Sequence, residues 1–381
     1  MGVRDEADRL LHRARHGIRR LLPEDAYLAD AHTHLGLDED GMTLDLASSL
    51  ALMREFDVRR ALVFPLHEAD RAPAYRKPND RVLEWAAASG DRLVPLARLD
   101  LAESPVEEAE RCLKLGARGI KLHPRAQKFT VDDDRLDPVF ALAEEHRFPI
   151  LIHAGRGMPP IGEHLAKVAE RHPGAILILA HAAIVDQDRI CDLVAGQPNV
   201  LFDTSTWGVA DLLNLLSRVA PQQVLWATDI PYGNHLVSLA LIGSILDELG
   251  ASDEIRRGVF GLTLEGIIRG ETPTMTDPIA PPRWELTHAA HRVYTYLAAT
   301  VPIIWMRQAD NLGVSGLAAG ACRTGDEVAE LEELITTACA LWEEIGPGAL
   351  RGQIWDVTRL FQLAQIACFC PTAARRSYLC A

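Results

Sequence analysis

The stretch Ala29-Asp30-Ala31-His32-Thr33-His34-Leu35-Gly36 places two histidines two residues apart in a segment that reads as a β-strand. Successive side chains on a strand alternate faces. The pattern therefore predicts Asp30, His32 and His34 on one face, with Ala31 and Thr33 on the other. Two imidazoles at i and i+2 can converge on one metal ion. A lone His-x-His is a weak signal, and it gains force from what stands at the ends of the other apolar runs. Those ends read Lys121-Leu122-His123-Pro124, His153-Ala154-Gly155, His181-Ala182-Ala183, Asp203-Thr204-Ser205 and Asp229-Ile230-Pro231-Tyr232. With His32 and His34, five of the 14 histidines fall at the ends of apolar runs. Packing alone does not explain this, because each buried imidazole costs desolvation.

The chemistry these residue types support is a metal site. His32, His34 and His153 offer neutral nitrogens and Asp229 an oxygen, a donor set for Zn2+ and also for Mn2+, Fe2+ or Co2+. A catalytic site keeps a position for water, whose pKa the ion lowers to roughly 7. His181, on the next strand, is placed to polarise a substrate or move a proton. Asp229 can both ligate and accept a proton from the attacking water. Asp30 either holds a ligand imidazole through a hydrogen bond or is a polar residue of the core layer.

Eight short apolar runs must position these groups: 27–34, 61–66, 93–99, 119–123, 150–153, 176–181, 200–203 and 224–229. Between them lie amphipathic stretches, such as Ile161, Leu165, Val168 and Ala169, or Val209, Leu212, Leu213 and Leu216. Both spacings put one apolar face on a helix. Eight strand-then-helix units match a (β/α)8 TIM barrel, typically ~250 residues, with its active site at the carboxyl ends of the strands. A doubly wound sheet would show a Gly-rich turn after its first strand, and none is present. The expected organisation is an N-terminal helix over 1–25, a barrel over 26–270, a Pro- and Thr-rich linker over 271–282 and a helical domain over 283–381, a C-terminal extension that reads as a dimerisation or docking module.

Bulk properties exclude several functions. The formal net charge of −14 over 381 residues argues against a nucleic-acid partner, which needs a basic face. No run reaches the roughly 18 apolar residues that span a bilayer. The N-terminus, rich in arginine, lacks the apolar region of a signal peptide. Seven cysteines at irregular spacing fit a reducing compartment, so a cytoplasmic protein is expected. Cys368, Cys370 and Cys380 could chelate a metal or be idle thiols.

Taken together, His-x-His at 32–34, Gly-Ile-Lys-Leu-His-Pro at 119–124, Ile-His-Ala-Gly at 152–155, Leu-Ala-His at 179–181 and Ala-Thr-Asp-Ile-Pro-Tyr at 227–232 resemble the amidohydrolase superfamily. More narrowly they resemble its amidohydrolase 2 branch, which includes aminocarboxymuconate-semialdehyde decarboxylase-like and resorcylate decarboxylase-like enzymes, lactonases and hydratases. Val259-Phe260-Gly261 to Arg269 is similar to the segment that closes the last helix, with Thr263-Leu264 where the family usually has an Asn. The resemblance covers roughly 26–270. It implies one divalent metal, Zn2+ first among candidates, held by His32, His34, His153 and Asp229, with His181 as the catalytic histidine. Lys121 is either a carboxylated ligand of a second metal with His153 and His181, or a cation that with His123, Arg125 or Arg156 receives a substrate anion; Tyr232 joins the substrate-binding group. His67 and His235 could line the pocket, Trp207 could wall an aromatic substrate, and the loop over 68–80 could act as a lid through Tyr75, Arg76 and Lys77. Three functions remain: a hydrolase of C–N or C–O bonds in a small anionic substrate, a non-oxidative decarboxylase, or a silent barrel serving assembly. A small-molecule substrate and a homo-oligomer are the expected partners.

Overall fold

The apolar runs become strands because each is bounded by turns and buried on both faces, as a parallel sheet covered by helices requires. In the computed structural model, which describes residues 2–379 apart from 40, 195, 207, 281–284, 311 and 312, the strands are β1 (Leu28–Leu37), β2 (Thr43–Leu44), β3 (Val58–Pro65), β4 (Leu93–Pro95), β5 (Ala97–Arg98), β6 (Ile120–Leu122), β7 (Pro149–Ile152), β8 (Ile176–Leu179), β9 (Val200–Asp203) and β10 (Val224–Leu225). Trp207 and Cys380, both singled out above, lie outside the described residues. Apart from the short β2, which pairs antiparallel with β1, all pairings are parallel. The strands run in two arcs, β2-β1-β3-β4 and β10-β9-β8-β7-β6-β5. One run, 93–98, supplies β4 to the first arc and β5 to the second, so it joins them. Between β10 and β1 no regular ladder forms. Ala31 N–H donates to Trp226 O at 3.0 Å, Asp229 N–H to His32 O at 2.9 Å and His34 N–H to Ile230 O at 2.7 Å. With β4 and β5 counted as one strand and β2 outside the ring, these are the eight strands of a (β/α)8 barrel.

One irregularity of β1 decides what faces the barrel interior. Asp30 pairs with Ala61, and Thr33 pairs with Val63. Three steps on β1 thus oppose two on β3, which is a β-bulge at Ala31-His32. Simple alternation predicts Asp30 on the face of the histidines. The bulge corrects this: Ala31 joins the core with Leu62, Phe64, Leu151, Ile178 and Leu201, His32 and His34 point inward above it, and Asp30 turns to the other face beside Thr33.

The chain forms two units, one of Glu24–Ser238 with Ser252–Ala280, the other of Met1–Pro23, Leu239–Ala251 and Pro281–Ala381. In the second, Val3–Gly17 packs against Glu332–Ile345 and against the turn Arg375–Leu379. Val328, Leu331, Ile335, Ala338 and Leu341, at helical spacing, are buried, as are Ile354, Val357, Phe361 and Ala364, so each set forms an apolar stripe that faces a core. Gly17 is required there by close approach: a Cβ would stand 2.1 Å from the carbonyl oxygen of Ser377. Among the described residues no helix is long and apolar enough to cross a membrane.

Candidate active site

The inward turn of β1 brings His32 and His34 to the barrel mouth, where Asp229 meets them from the end of the eighth strand. Asp229 adopts a left-handed backbone, φ 58°, a conformation costly for a side chain with a Cβ and concentrated at functional sites. The turn is held by Tyr232 N–H and Gly233 N–H, which donate to Asp229 O at 2.7 and 2.9 Å. It aims the carboxylate at the two imidazoles. His32 Nε2, His34 Nε2 and Asp229 Oδ1 form a triangle with edges of 3.2, 3.0 and 3.2 Å. Among the described residues these three are the group of His, Cys, Asp and Glu side chains close enough to share an ion. Donors bonded to one ion at ~2.0–2.1 Å stand roughly 3.3 Å apart around a tetrahedron, so three donors at this spacing, two buried and one half-buried, fit a divalent cation.

The hydrogen bonds assign which nitrogens are free to ligate. Asp203 Oδ2 lies 2.7 Å from His32 Nδ1. That carboxylate accepts Nδ1–H and leaves the lone pair on Nε2, facing the triangle. Asp203 Oδ1 accepts from His181 N at 2.9 Å and Ser205 N at 3.0 Å. His181 Nδ1 lies 2.8 Å from Ser205 O; a carbonyl can only accept, so Nδ1 carries the proton and Nε2 the lone pair. That Nε2 stands 3.0 Å from His153 Nδ1, which must then donate. The lone pair of His153 consequently sits on Nε2, which is buried and has no partner. His153 stands outside the triangle, but its one available nitrogen is an unused acceptor. Gly155 permits this packing: a Cβ there would stand 2.7 Å from His181 Cδ2.

His181, Ala182 and Ala183 all have positive φ, 60°, 54° and 54°. This strained turn swings the His181 ring back over the strand ends. Burial lowers the pKa of both His153 and His181, so both rings are neutral at pH 7. Burial also pushes His34 down, to about 3, against the pull of Asp229. For His32, burial and the Lys121 charge oppose protonation, and Asp203 and Asp229 outweigh them, raising its pKa. Burial drives Asp203 upward, yet the His32 imidazole holds it at about 2.

The remaining expected site residues divide. Lys121 is fully buried, its Nζ 3.4 Å from His32 Nε2 and 4.6 Å above the Phe64 ring. Burial brings it down to about 7. His123 stacks on His153 with centroids 4.0 Å apart, and its Nδ1 accepts from Ala126 N at 3.2 Å, capping the short helix Pro124–Gln127. Tyr232 lays its ring against His34 at 5.4 Å and donates its hydroxyl to Asp38. Arg125 and Arg156 are exposed, and the charge of Arg156 is felt by Asp211. His235 stacks on Phe56 at 5.1 Å, on the far side of the strand with Asp30.

Two expectations are corrected. Asp30 does not hold an imidazole. It accepts from His32 N at 3.0 Å, Thr33 Oγ1 at 2.9 Å, Thr228 N at 3.0 Å and Thr228 Oγ1 at 2.5 Å, tying β1 to the eighth strand. The residue on the imidazole is Asp203, missed although its place at a strand end was visible. The segment 68–80 is not one long lid, because helix Arg76–Ala88 begins inside it. Pro78 sits in its first turn, where no N–H is needed. Tyr75 is buried, with its hydroxyl oxygen 2.5 Å from His67 Nδ1, while Arg76 and Lys77 are exposed.

Fold and site together define a TIM-barrel protein with a buried His-His-Asp cluster at the carboxyl ends of its strands. The amidohydrolase family model matches residues 29–263, more than half of the chain, and the chain belongs to that family and is an enzyme. Among solved structures it is similar to an uncharacterised TIM-barrel protein from Bordetella bronchiseptica, at 16% identity and TM-score 0.52, covering 64% of this chain and 99% of that one. It is also similar to a Staphylococcus aureus protein described as an amidohydrolase, at 17% identity and TM-score 0.50, covering 64% and 99%. These likenesses bear on the fold. No curated protein matches the chain.

Proposed function

We propose that the chain is a metal-dependent hydrolase that cleaves a C–N or C–O bond in a small anionic substrate. His32, His34, His153 and Asp229 would hold one divalent ion, zinc first among the candidates, and His181 and Asp229 would move protons. The observation that supports this is the triangle of His32 Nε2, His34 Nε2 and Asp229 Oδ1 at 3.0–3.2 Å, next to a fourth neutral imidazole with an unpartnered Nε2. A bound divalent ion supplies Lewis acidity and brings the pKa of a water toward roughly 7. The chain's own groups do the rest. Asp203 fixes the His32 tautomer and the His181 backbone together. Asp229 engages the imidazoles through Oδ1, so Oδ2 is the oxygen that takes a proton from the attacking water and returns it to the leaving group. His181, held through Nδ1 by Ser205, keeps its lone pair on Nε2, beside His153 Nδ1, and this is the nitrogen that would take up a proton. Lys121 is read as an amine beside His32, its Nζ 3.4 Å from His32 Nε2, and not as a carboxylated ligand. The free cysteines, most of them buried, fit a reducing cytoplasm.

The test is metal analysis of the purified protein and of His32→Ala and Asp229→Ala, with lactones and amides screened for hydrolysis and carboxylated aromatics for CO2 release. One ion per chain, lost in both variants, with metal-restored hydrolysis, is expected. Full occupancy in either variant overturns the ligand assignment. Two ions per chain bring Lys121 into the shell, and CO2 release without hydrolysis makes the enzyme a decarboxylase.

A further inference from the structure

Arg98 is a buried cation that the proposed chemistry leaves without a task. It is 1% exposed and ends β5, where its register partner is Lys121 on β6. Paired residues of a parallel ladder project to the same face, so Arg98 stands beside Lys121, on the adjacent strand. Its backbone is clamped on both sides by Asn79: Arg98 N–H donates to Asn79 Oδ1 at 2.9 Å, and Asn79 Nδ2 donates to Arg98 O at 3.0 Å.

The guanidinium itself is poorly satisfied. Of its five donors, Nη1 reaches Pro65 O at 3.3 Å and Nη2 reaches His67 Nδ1 at 3.4 Å. That His67 nitrogen is already 2.5 Å from the Tyr75 hydroxyl. Nε is buried and has no partner. Tyr75 covers the flat face of the guanidinium, with 5.0 Å from Cζ to the ring centroid, and the Nε edge meets no acceptor. No ion pair to Arg98 is found among the described residues, whereas Arg81 and Arg111, both less buried, are each met by two carboxylates. A buried guanidinium kept for packing is matched in this way, since desolvating an unpaired charge is costly. Burial lowers the Arg98 pKa, opposed in part by Asp38 and Tyr232, and Tyr232 also touches His34.

We propose that Arg98 is the specificity-determining residue that receives a carboxylate of the substrate, through Nε–H and the neighbouring Nη2. The planar fork of arginine binds a carboxylate by two parallel hydrogen bonds, and this edge lacks its acceptor. The inference rests on the hydrolase reading only for the word substrate; the anion site itself does not need the metal.

Binding of phthalate, phthalamide and inorganic phosphate to the full chain, measured by calorimetry in native protein and in Arg98→Met, tests it. Phthalate affinity should fall at least tenfold in R98M, with phthalamide unchanged and zinc content equal to native. R98K keeps the charge and loses the fork, and an intermediate loss is expected. Should R98M fail to fold, the intermediate loss in R98K carries the test. Equal phthalate affinity in native and R98M, or no phthalate binding to native protein, overturns the proposal. Tighter binding of phosphate than of phthalate overturns the carboxylate in favour of a phosphate group. Native protein that holds no zinc yet binds phthalate through Arg98 sinks the hydrolase reading and leaves the anion site standing.

Discussion

Replacing Asp203 by Asn tests the tautomer logic on which the ligand assignment stands. The change is nearly isosteric. The amide oxygen can take the Oδ1 position and keep the bonds from His181 N and Ser205 N, at 2.9 and 3.0 Å in the native protein. The NH2 group then occupies the Oδ2 position, 2.7 Å from His32 Nδ1. A donor now faces a donor. His32 escapes the clash by moving its single proton to Nε2, which removes the lone pair aimed at His34 and Asp229. Loss of a hydrogen-bond partner behind a metal ligand typically costs 10–100-fold in metal affinity, about 1.4–2.7 kcal/mol at 1.36 kcal/mol per decade. A forced tautomer belongs at the upper end of that range. Competition with a chromogenic chelator gives the zinc affinity, and the melting temperature of metal-free protein reports the fold. Asp203→Ala also strands two backbone N–H groups and should melt below D203N. Native zinc affinity in D203N would refute the reasoning: either His32 Nε2 is not a ligand or Asp203 does not set its proton.

Gly155→Ala should lower turnover more than it lowers stability, because its Cβ would stand 2.7 Å from His181 Cδ2 and 3.0 Å from His153 Cε1. Overpacking of this kind costs about 1–3 kcal/mol, readable in denaturant melts, and unchanged kinetics on any substrate found would count against a role for the His153–His181 contact. Asp132 is partly buried, and bonds from His164 and Lys167 overcome that burial to hold its pKa at about 2. A depressed carboxyl contributes stability above its unfolded value near 4 and loses it as pH falls through the folded one. Asp132→Asn should therefore cost at most about 1 kcal/mol at neutral pH, as surface pairs do, with the difference vanishing between about pH 4 and 2 in acid titrations followed by circular dichroism. A difference that persists at pH 2 would mean the residue acts by packing.

The barrel was legible because its evidence is periodic and local. Each run, such as Ile176–Leu179 or Val200–Asp203, is dominated by apolar residues, and the helical spacings between runs announce one buried face each. The two helical stripes around Ile335 and Phe361 were readable for the same reason. The segment at 68–80 was not, because helix Arg76–Ala88 has a proline and polar residues in its first turn and no apolar stripe there. Arg98 left a signal that went unused, a single charge inside the apolar run Leu93 to Leu99.

The residue order by itself determined that His32 and His34 project to one side, since they are two apart on a strand, and that His153, His181, Asp203 and Asp229 end other strands. It could not determine which carboxylate serves which imidazole. Alternation put Asp30 with the histidines, but the bulge at Ala31-His32 exists only in the pairing of β1 with β3. A one-residue slip moves a side chain to the other face. Asp203, 171 positions away in the chain, reaches His32 because the ring of strands brings both ends to one mouth. The neighbourhood of Arg98 and Lys121 was decided in the same way, by a register between strands that no local pattern encodes.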